Sequence, residues 1–438
     1  MNKIVTYLIL IFFGGIFLSN SWNFSPWGGY DKDLHFAYAK ILTFEKRIPT
    51  YDETPESYNP PPFYYLSGKL AQVFSPFFND DFIESLKSWQ MLVAGLVVIA
   101  GLAWWDIFNL LNRHKAQFSW LFIIWLLSLP VLNKMIPMYN LETTQFVLTS
   151  FIIWYFIKFF LPKPTFNRII ILGLISGLIL SFRLMSFTLL LSLGLTIIYM
   201  AVIKKISWKK MLTLNLVFTL ITLIIGGQFY YLYKDNGAFG EKMEDMAHIS
   251  WWKRQPKTFY TDTFFRTTMR RPIRPNFPNR FIPIFYYDFW GDYWNYFPQR
   301  RFGYTISDLR KDRQLISPER LNRLAWQNRV NLIPTLIIAI GYLSALFSIA
   351  KKQTKIGEIL LMTFFMITFL AFFYMNHKFA NLYKGDTIKA SYMLYALPTL
   401  IFFAVKQLIS WQSIKIIFYP ILFAVILAIG FNIEFIFF

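Results

Sequence analysis

The chain has 438 residues, of which 55% are hydrophobic and 20% aromatic, and only 16% are charged. A water-soluble protein of this length needs a polar surface that this composition does not supply, so lipid is the expected solvent for much of it. The 44 Lys and Arg outnumber the 24 Asp and Glu for a formal charge of +20, and there is no Cys. Disulfides, thiolate metal sites and thiol nucleophiles are thereby excluded, and so is a nucleic-acid module, because the basic residues lie between apolar runs and not on one compact basic domain. Anionic head groups or lipid phosphates are the expected partners of that charge.

Spanning a bilayer takes about 20 mostly apolar residues. Such runs occur near 5–20, 91–111, 118–135, 145–161, 169–181, 187–203, 211–233, 332–350, 356–374, 392–405 and 414–433, about eleven helices. The expected fold is an all-α polytopic membrane protein, with 1–438 as a single membrane-embedded unit. The first run follows Lys3 and has no small-x-small cleavage site after it, so it is expected to stay as an anchor.

Orientation follows from Lys and Arg in short loops. With a cytoplasmic N-terminus, the inner loops hold Arg113 and Lys115, Lys163 and Arg168, Lys204, Lys205, Lys209 and Lys210, Lys351, Lys352 and Lys355, and Lys406. Nearly all Asp and Glu then fall on the other side. Two large extracytoplasmic loops result, 21–88 and 234–331, both too long to be simple connections. In the first, residues 63–77 read as a helix lying on the membrane, with Tyr, Phe and Leu on one side and Ser67 and Lys69 on the other. The second mixes Trp, Tyr, Phe, Arg and Pro (Trp251, Trp252, Arg270, Arg271, Pro272, Arg274, Pro275, Pro278), a composition suited to a lid at head-group level.

Four constellations stand out on these loops. Asp31, Asp33 and His35 share five residues at the exit of the first helix. Carboxylates there can act as general base toward an acceptor hydroxyl, or can hold a divalent cation such as Mg or Mn between Asp31 and Asp33. A plain solvated loop is the alternative. Next, Pro60, Pro61 and Pro62 make a rigid turn into Phe63, Tyr64 and Tyr65. Third, the aromatic stretch 286–297 contains Asp288, Trp290, Asp292 and Trp294. An aromatic belt explains the rings but not two acids among them; rings beside carboxylates suit a sugar. Last, Lys389 lies where the chain re-enters the membrane, just before Tyr392. It either snorkels or clamps a lipid-linked phosphate, with Arg183 or the Arg300–Arg301 pair beside it. Arg183 interrupts an apolar region, where an unpaired charge is expensive. No nucleotide-binding or serine-hydrolase motif has a supporting context.

In this order, Asp31, His35 and Tyr38, then Pro49, the Pro61–Tyr65 turn, the Trp290–Trp294 loop and the Lys389–Pro398 segment resemble the GT-C superfamily of integral membrane glycosyltransferases, the group that includes protein O-mannosyltransferases and lipid A aminoarabinose transferases. The resemblance covers the architecture of the whole chain. It implies a multi-pass plasma (inner) membrane enzyme whose active site faces away from the cytoplasm. It also implies an inverting transfer of sugar from a polyprenyl-phosphate donor to a lipid, glycan or protein acceptor. By the same resemblance Asp31, with Asp33 as its rival, is the base, and Lys389 holds the donor phosphate. Two other classes compete. A transporter or flippase of lipid-linked sugars predicts charges near mid-membrane and modest loops. An O-antigen-type ligase or polymerase uses a diphosphate-linked donor and relies on Arg and His in a large external loop, here His248 and the arginines from Arg254 to Arg301.

Overall fold

The computed structural model describes residues 2–232, 255–263, 269–273, 280–294, 318–351, 354–379 and 387–434. Among them no strand occurs, and nine helices are long and apolar enough to cross a membrane, with two shorter apolar helices at Lys115–Leu127 and Phe166–Phe182. The chain is an all-α polytopic membrane protein. His248, Trp251, Trp252, Arg254, Arg274, Pro275, Pro278, Arg300 and Arg301 lie outside the described residues.

In chain order the elements that position the site are α1 (Asn2–Asn23), α2 (Lys32–Lys40), α3 (Pro62–Phe74), α4 (Lys87–Leu111), α5 (Ser119–Leu127), α6 (Pro130–Met135), α7 (Leu141–Tyr155), α8 (Phe166–Phe182), α9 (Phe187–Val202) and α10 (Trp208–Thr222), then α11 (Phe281–Trp290), α12 (Pro318–Val330), α13 (Leu332–Ala350), α14 (Ile356–Phe379), α15 (Leu397–Ser410) and α16 (Lys415–Glu434). A 3₁₀ turn, Ala390–Ala396, leads into α15. Outward-facing Ile, Leu and Phe, such as Ile11, Leu216, Phe347 and Phe423, are exposed as a lipid-facing surface requires.

Two expectations need correction. The run 118–135 is not one helix. Pro130 forces Leu129 into an extended conformation (ψ 122°) and restarts the chain as the short α6. Asn133 fills the break, donating from Nδ2 to the Leu127 and Leu129 carbonyls at 2.7 and 2.9 Å. This break carries Lys134 into the protein interior. The second correction concerns α3, which forms as a helix but presents the opposite face. Ser67 is buried with Phe63, Tyr64, Gly68 and Ala71, and hydrogen-bonds the Tyr139 hydroxyl at 2.6 Å. Tyr65, Leu66, Val73 and Phe74 are the exposed residues. The small residues Ser67, Gly68 and Ala71 let α3 lie close to its neighbours.

Close backbone approach also sets the helix crossing between α13 and α15. A Cβ added at Gly341 would stand 2.5 Å from the Phe403 carbonyl oxygen and 3.0 Å from the Ala404 Cα. Backbone cannot yield as a side chain can, so Gly341→Ala should cost about 1–3 kcal/mol. At Gly95 nothing lies within 4 Å, and Gly95→Ala should be neutral or stabilising. Thermal unfolding of the two variants in detergent checks this; equal midpoints would contradict the packing.

Candidate active site at one end of the bundle

The helix ends that gather here are the C-terminal end of α8, the N-terminal ends of α2 and α7 and the 3₁₀ turn before α15. Together with the segment 30–59 they enclose a polar pocket. Its space is about 20 Å³, room for one or two waters.

Asp31 stands at the N-cap of α2 in the left-handed region (φ 50°, ψ 27°), a conformation Asp tolerates better than most residues. Its carboxylate makes no capping bond to the helix. It points instead at Lys389, with Nζ to Oδ2 at 3.2 Å. The lysine side chain is 7% exposed and the aspartate 47%, so the carboxylate remains reachable. The ammonium also lies 4.5 Å from the centre of the Tyr30 ring and 5.6 Å from that of Tyr392.

Tyr392 is also close to Arg183, whose guanidinium carbon is 5.3 Å from the ring centre. Arg183 caps the end of α8 and pairs with Glu142, in the first turn of α7, at 2.8 Å. This pairing resolves the cost of an arginine at this depth. Asn140 caps α7 by accepting from Thr143 N at 2.8 Å, and its amide nitrogen donates to the Met135 and Met138 carbonyls at 2.7 and 2.8 Å. That fixes the pocket wall between α6 and α7.

The third wall is the proline turn. His35 Nδ1 is 2.7 Å from the Tyr64 hydroxyl, Tyr38 stacks on Tyr64 at 3.9 Å and donates to the Asn59 carbonyl at 2.9 Å, and Asn59 donates to Glu56 at 2.6 Å. Burial, and then the Glu56 charge, push the Tyr58 and Tyr64 hydroxyls well above the ordinary phenol range, so both stay neutral.

Tyr30, Asp31, His35, Glu56, Arg183, Lys389 and Tyr392 line the pocket, and Tyr38 and Tyr64 support it. Asp33 does not line it; it is exposed in the first turn of α2. Among the described residues no group of three or more His, Asp or Glu converges as a metal site, and Asp31 already faces an ammonium. Asp31 and Asp33 thus do not converge with a third such ligand among the described residues. Asp288, Trp290, Asp292 and Trp294 are all at most 5% exposed and do not line the pocket. Asp288 instead forms a fully buried ion pair with Lys134 and accepts the Ala390 amide at 2.6 Å. Trp290 donates to Thr335 at 2.8 Å, and Asp292 lies 3.8 Å from Arg320. Sequence reasoning missed Lys134 and Glu142. Each is a charge inside or beside an apolar run, the signal that did single out Arg183.

No protein-family model and no curated protein matches the chain. Among solved structures, crystal structures of ArnT from Cupriavidus metallidurans, one bound to undecaprenyl phosphate and one in the apo state, are similar over 93% of this chain at 11% identity and a TM-score of 0.45. The chain covers 61% of those chains.

Removing one partner of a desolvated pair costs more than the pair contributes. The Arg183 and Glu142 side chains are 16% and 11% exposed, so Glu142→Gln should lower stability by about 3 kcal/mol. The double variant Glu142→Leu/Arg183→Met should recover most of it. Thermal unfolding in detergent gives both values, and a Glu142→Gln midpoint equal to wild type would show that water already solvates the pair.

Proposed function

We propose that the chain is a membrane glycosyltransferase that moves a sugar from a polyprenyl-phosphate donor to an acceptor hydroxyl on the extracytoplasmic face, with inversion at the anomeric carbon. The observation that carries this reading is the meeting of Asp31 and Lys389 at 3.2 Å, from opposite ends of the sequence, in one pocket at the edge of the apolar bundle. Glycosyl transfer from a phosphate needs a base for the incoming hydroxyl and a positive charge for the leaving group, side by side. These residues supply both.

In the proposed reaction the acceptor oxygen attacks the anomeric carbon while its proton passes to Asp31. The bond from the anomeric carbon to the phosphate oxygen breaks, and the phosphate keeps the electron pair. Lys389, with Arg183 beside the same Tyr392 ring, stabilises the negative charge without giving up a proton. An incoming phosphate offers Lys389 a stronger anionic partner than Asp31, so its binding parts the pair and frees the base in one movement. The lipid tail lies along the apolar helices. An outward-facing pocket end is supported by Lys115, Lys355 and Lys406 at the opposite helix ends. Lipid, glycan and protein hydroxyls all suit the base, and membrane lipids surround the bundle.

The test is donor consumption by the purified full chain in detergent, with labelled polyprenyl-monophosphate sugars and a crude membrane acceptor extract. Asp31→Asn should lower turnover by about 10²–10⁴-fold with unfolding unchanged. Lys389→Gln should raise the donor KM as well. Since Asp31 already faces an ammonium, transfer should survive EDTA. Folded wild type that consumes no monophosphate donor would sink the reading and turn attention to diphosphate donors or transport.

A further inference from the structure

Asp288 sits on α11, far in sequence from both reactive groups, yet its carboxylate touches the neighbours of each. Oδ1 accepts from the hydroxyl of Tyr30 at 3.3 Å, and Tyr30 immediately precedes Asp31. Oδ2 accepts from the backbone N–H of Ala390 at 2.6 Å, and Ala390 immediately follows Lys389. Lys134 pairs with Oδ1 and donates to the backbone carbonyls of Asp288 at 3.1 Å and Gly291 at 3.5 Å. The Lys134 and Asp288 side chains are both 0% exposed.

We propose, resting on the glycosyl-transfer reading above, that Asp288 and Lys134 are positioning residues that set the separation of Asp31 and Lys389. Asp288 does no chemistry itself. Its oxygens are occupied and no substrate reaches them. One rigid carboxylate ties the residue before the base to the residue after the cation, so the two reactive side chains hold a fixed spacing. Lys134 keeps that carboxylate aimed and supplies the opposite charge that a carboxylate at zero exposure requires. The two residues come from α6, just after the helix break, and from α11, so the clip also joins the helix bundle to the second large loop. Loosening it leaves Lys389 able to bind phosphate but spoils the alignment of hydroxyl, anomeric carbon and leaving oxygen.

The experiment compares wild type, Asp288→Asn and Asp288→Asn/Lys134→Met in the full chain. Asp288→Asn alone strands a buried ammonium and should unfold at lower temperature. The double variant is charge-neutral and should regain most of the wild-type midpoint. Its kcat should still fall at least about tenfold, with the donor KM within about threefold of wild type. Tyr30→Phe removes only the hydroxyl contact and should show a smaller loss in kcat alone.

A second readout needs no turnover. Because the chain has no Cys, Asp31→Cys introduces its sole thiol, at a position 47% exposed. With Lys389 held beside it, that thiol should titrate below the ordinary value of about 8.5. Adding Asp288→Asn/Lys134→Met should move the midpoint of alkylation rate against pH back up. An unchanged midpoint, or a double variant with wild-type kcat, overturns the clip. Wild type without transfer but with the expected shift in thiol midpoint would overturn the glycosyl-transfer reading and leave the clip standing.

Discussion

A fully buried ion pair, Lys134 with Asp288, joins the two halves of the chain. Neither side chain meets solvent, so each ion has forfeited its hydration, a loss that mutual attraction offsets only with added hydrogen bonds. Those bonds are present: the Asp288 and Gly291 carbonyls on the lysine, the Ala390 amide and the Tyr30 hydroxyl on the aspartate. An apolar pair of the same volume would stabilise the bundle as well or better. What an apolar pair cannot do is hold one backbone amide and one hydroxyl at fixed directions.

The pairs in this region become more open toward the site. Lys134 and Asp288 are sealed, Arg183 and Glu142 are 16% and 11% exposed, and in the last pair Lys389 is 7% exposed and Asp31 47%. Electrostatic attraction weakens along the same series as water enters. Glu142 and Asp31 both line the pocket, and the pair that is weaker, and so easier to part, is the one whose acid is the more open to water. The strongest is the one that a substrate does not need to break. Stability and reactivity are thus assigned to different pairs of like chemistry.

Much of the fold was legible in the sequence because lipid imposes a simple rule: a helix must be apolar for its whole crossing. Asp31, Arg183 and Lys389 were legible for the complementary reason, as charges at the ends of those runs, and His35 as one of only four His in the chain. Lys134 and Glu142 were not. Each could be absorbed into an apolar stretch, and what gives Lys134 meaning is a partner 154 residues later. Asp288 shows the intermediate case. An acid amid rings was visible as an anomaly, and a sugar was a reasonable occupant, but its actual neighbours come from three distant segments. The α3 face was misread although its spacing held the answer. Residues 63, 64, 67, 68 and 71 lie on one helical stripe, where the two rings of Phe63 and Tyr64 pack inward and the small Ser67, Gly68 and Ala71 let neighbours approach, so shape and not polarity marks the packed side.

The Asp-x-Asp motif also acquires a division of labour from local geometry. An aspartate at an N-cap ordinarily turns its carboxylate onto the first free amides of its helix. Asp31 does not, and its left-handed backbone directs the carboxylate across to Lys389 instead. The amides at the start of α2 still carry partial positive charge, and Asp33, in the first turn, sits where a negative charge offsets it. One carboxylate thus serves the helix end, which releases the other for the pocket. The two acids need not share a cation to account for their spacing. Two residues is the distance from a cap position to the first helical turn, and the left-handed conformation at Asp31, strained for most residues, is the cost of diverting a capping side chain to the pocket.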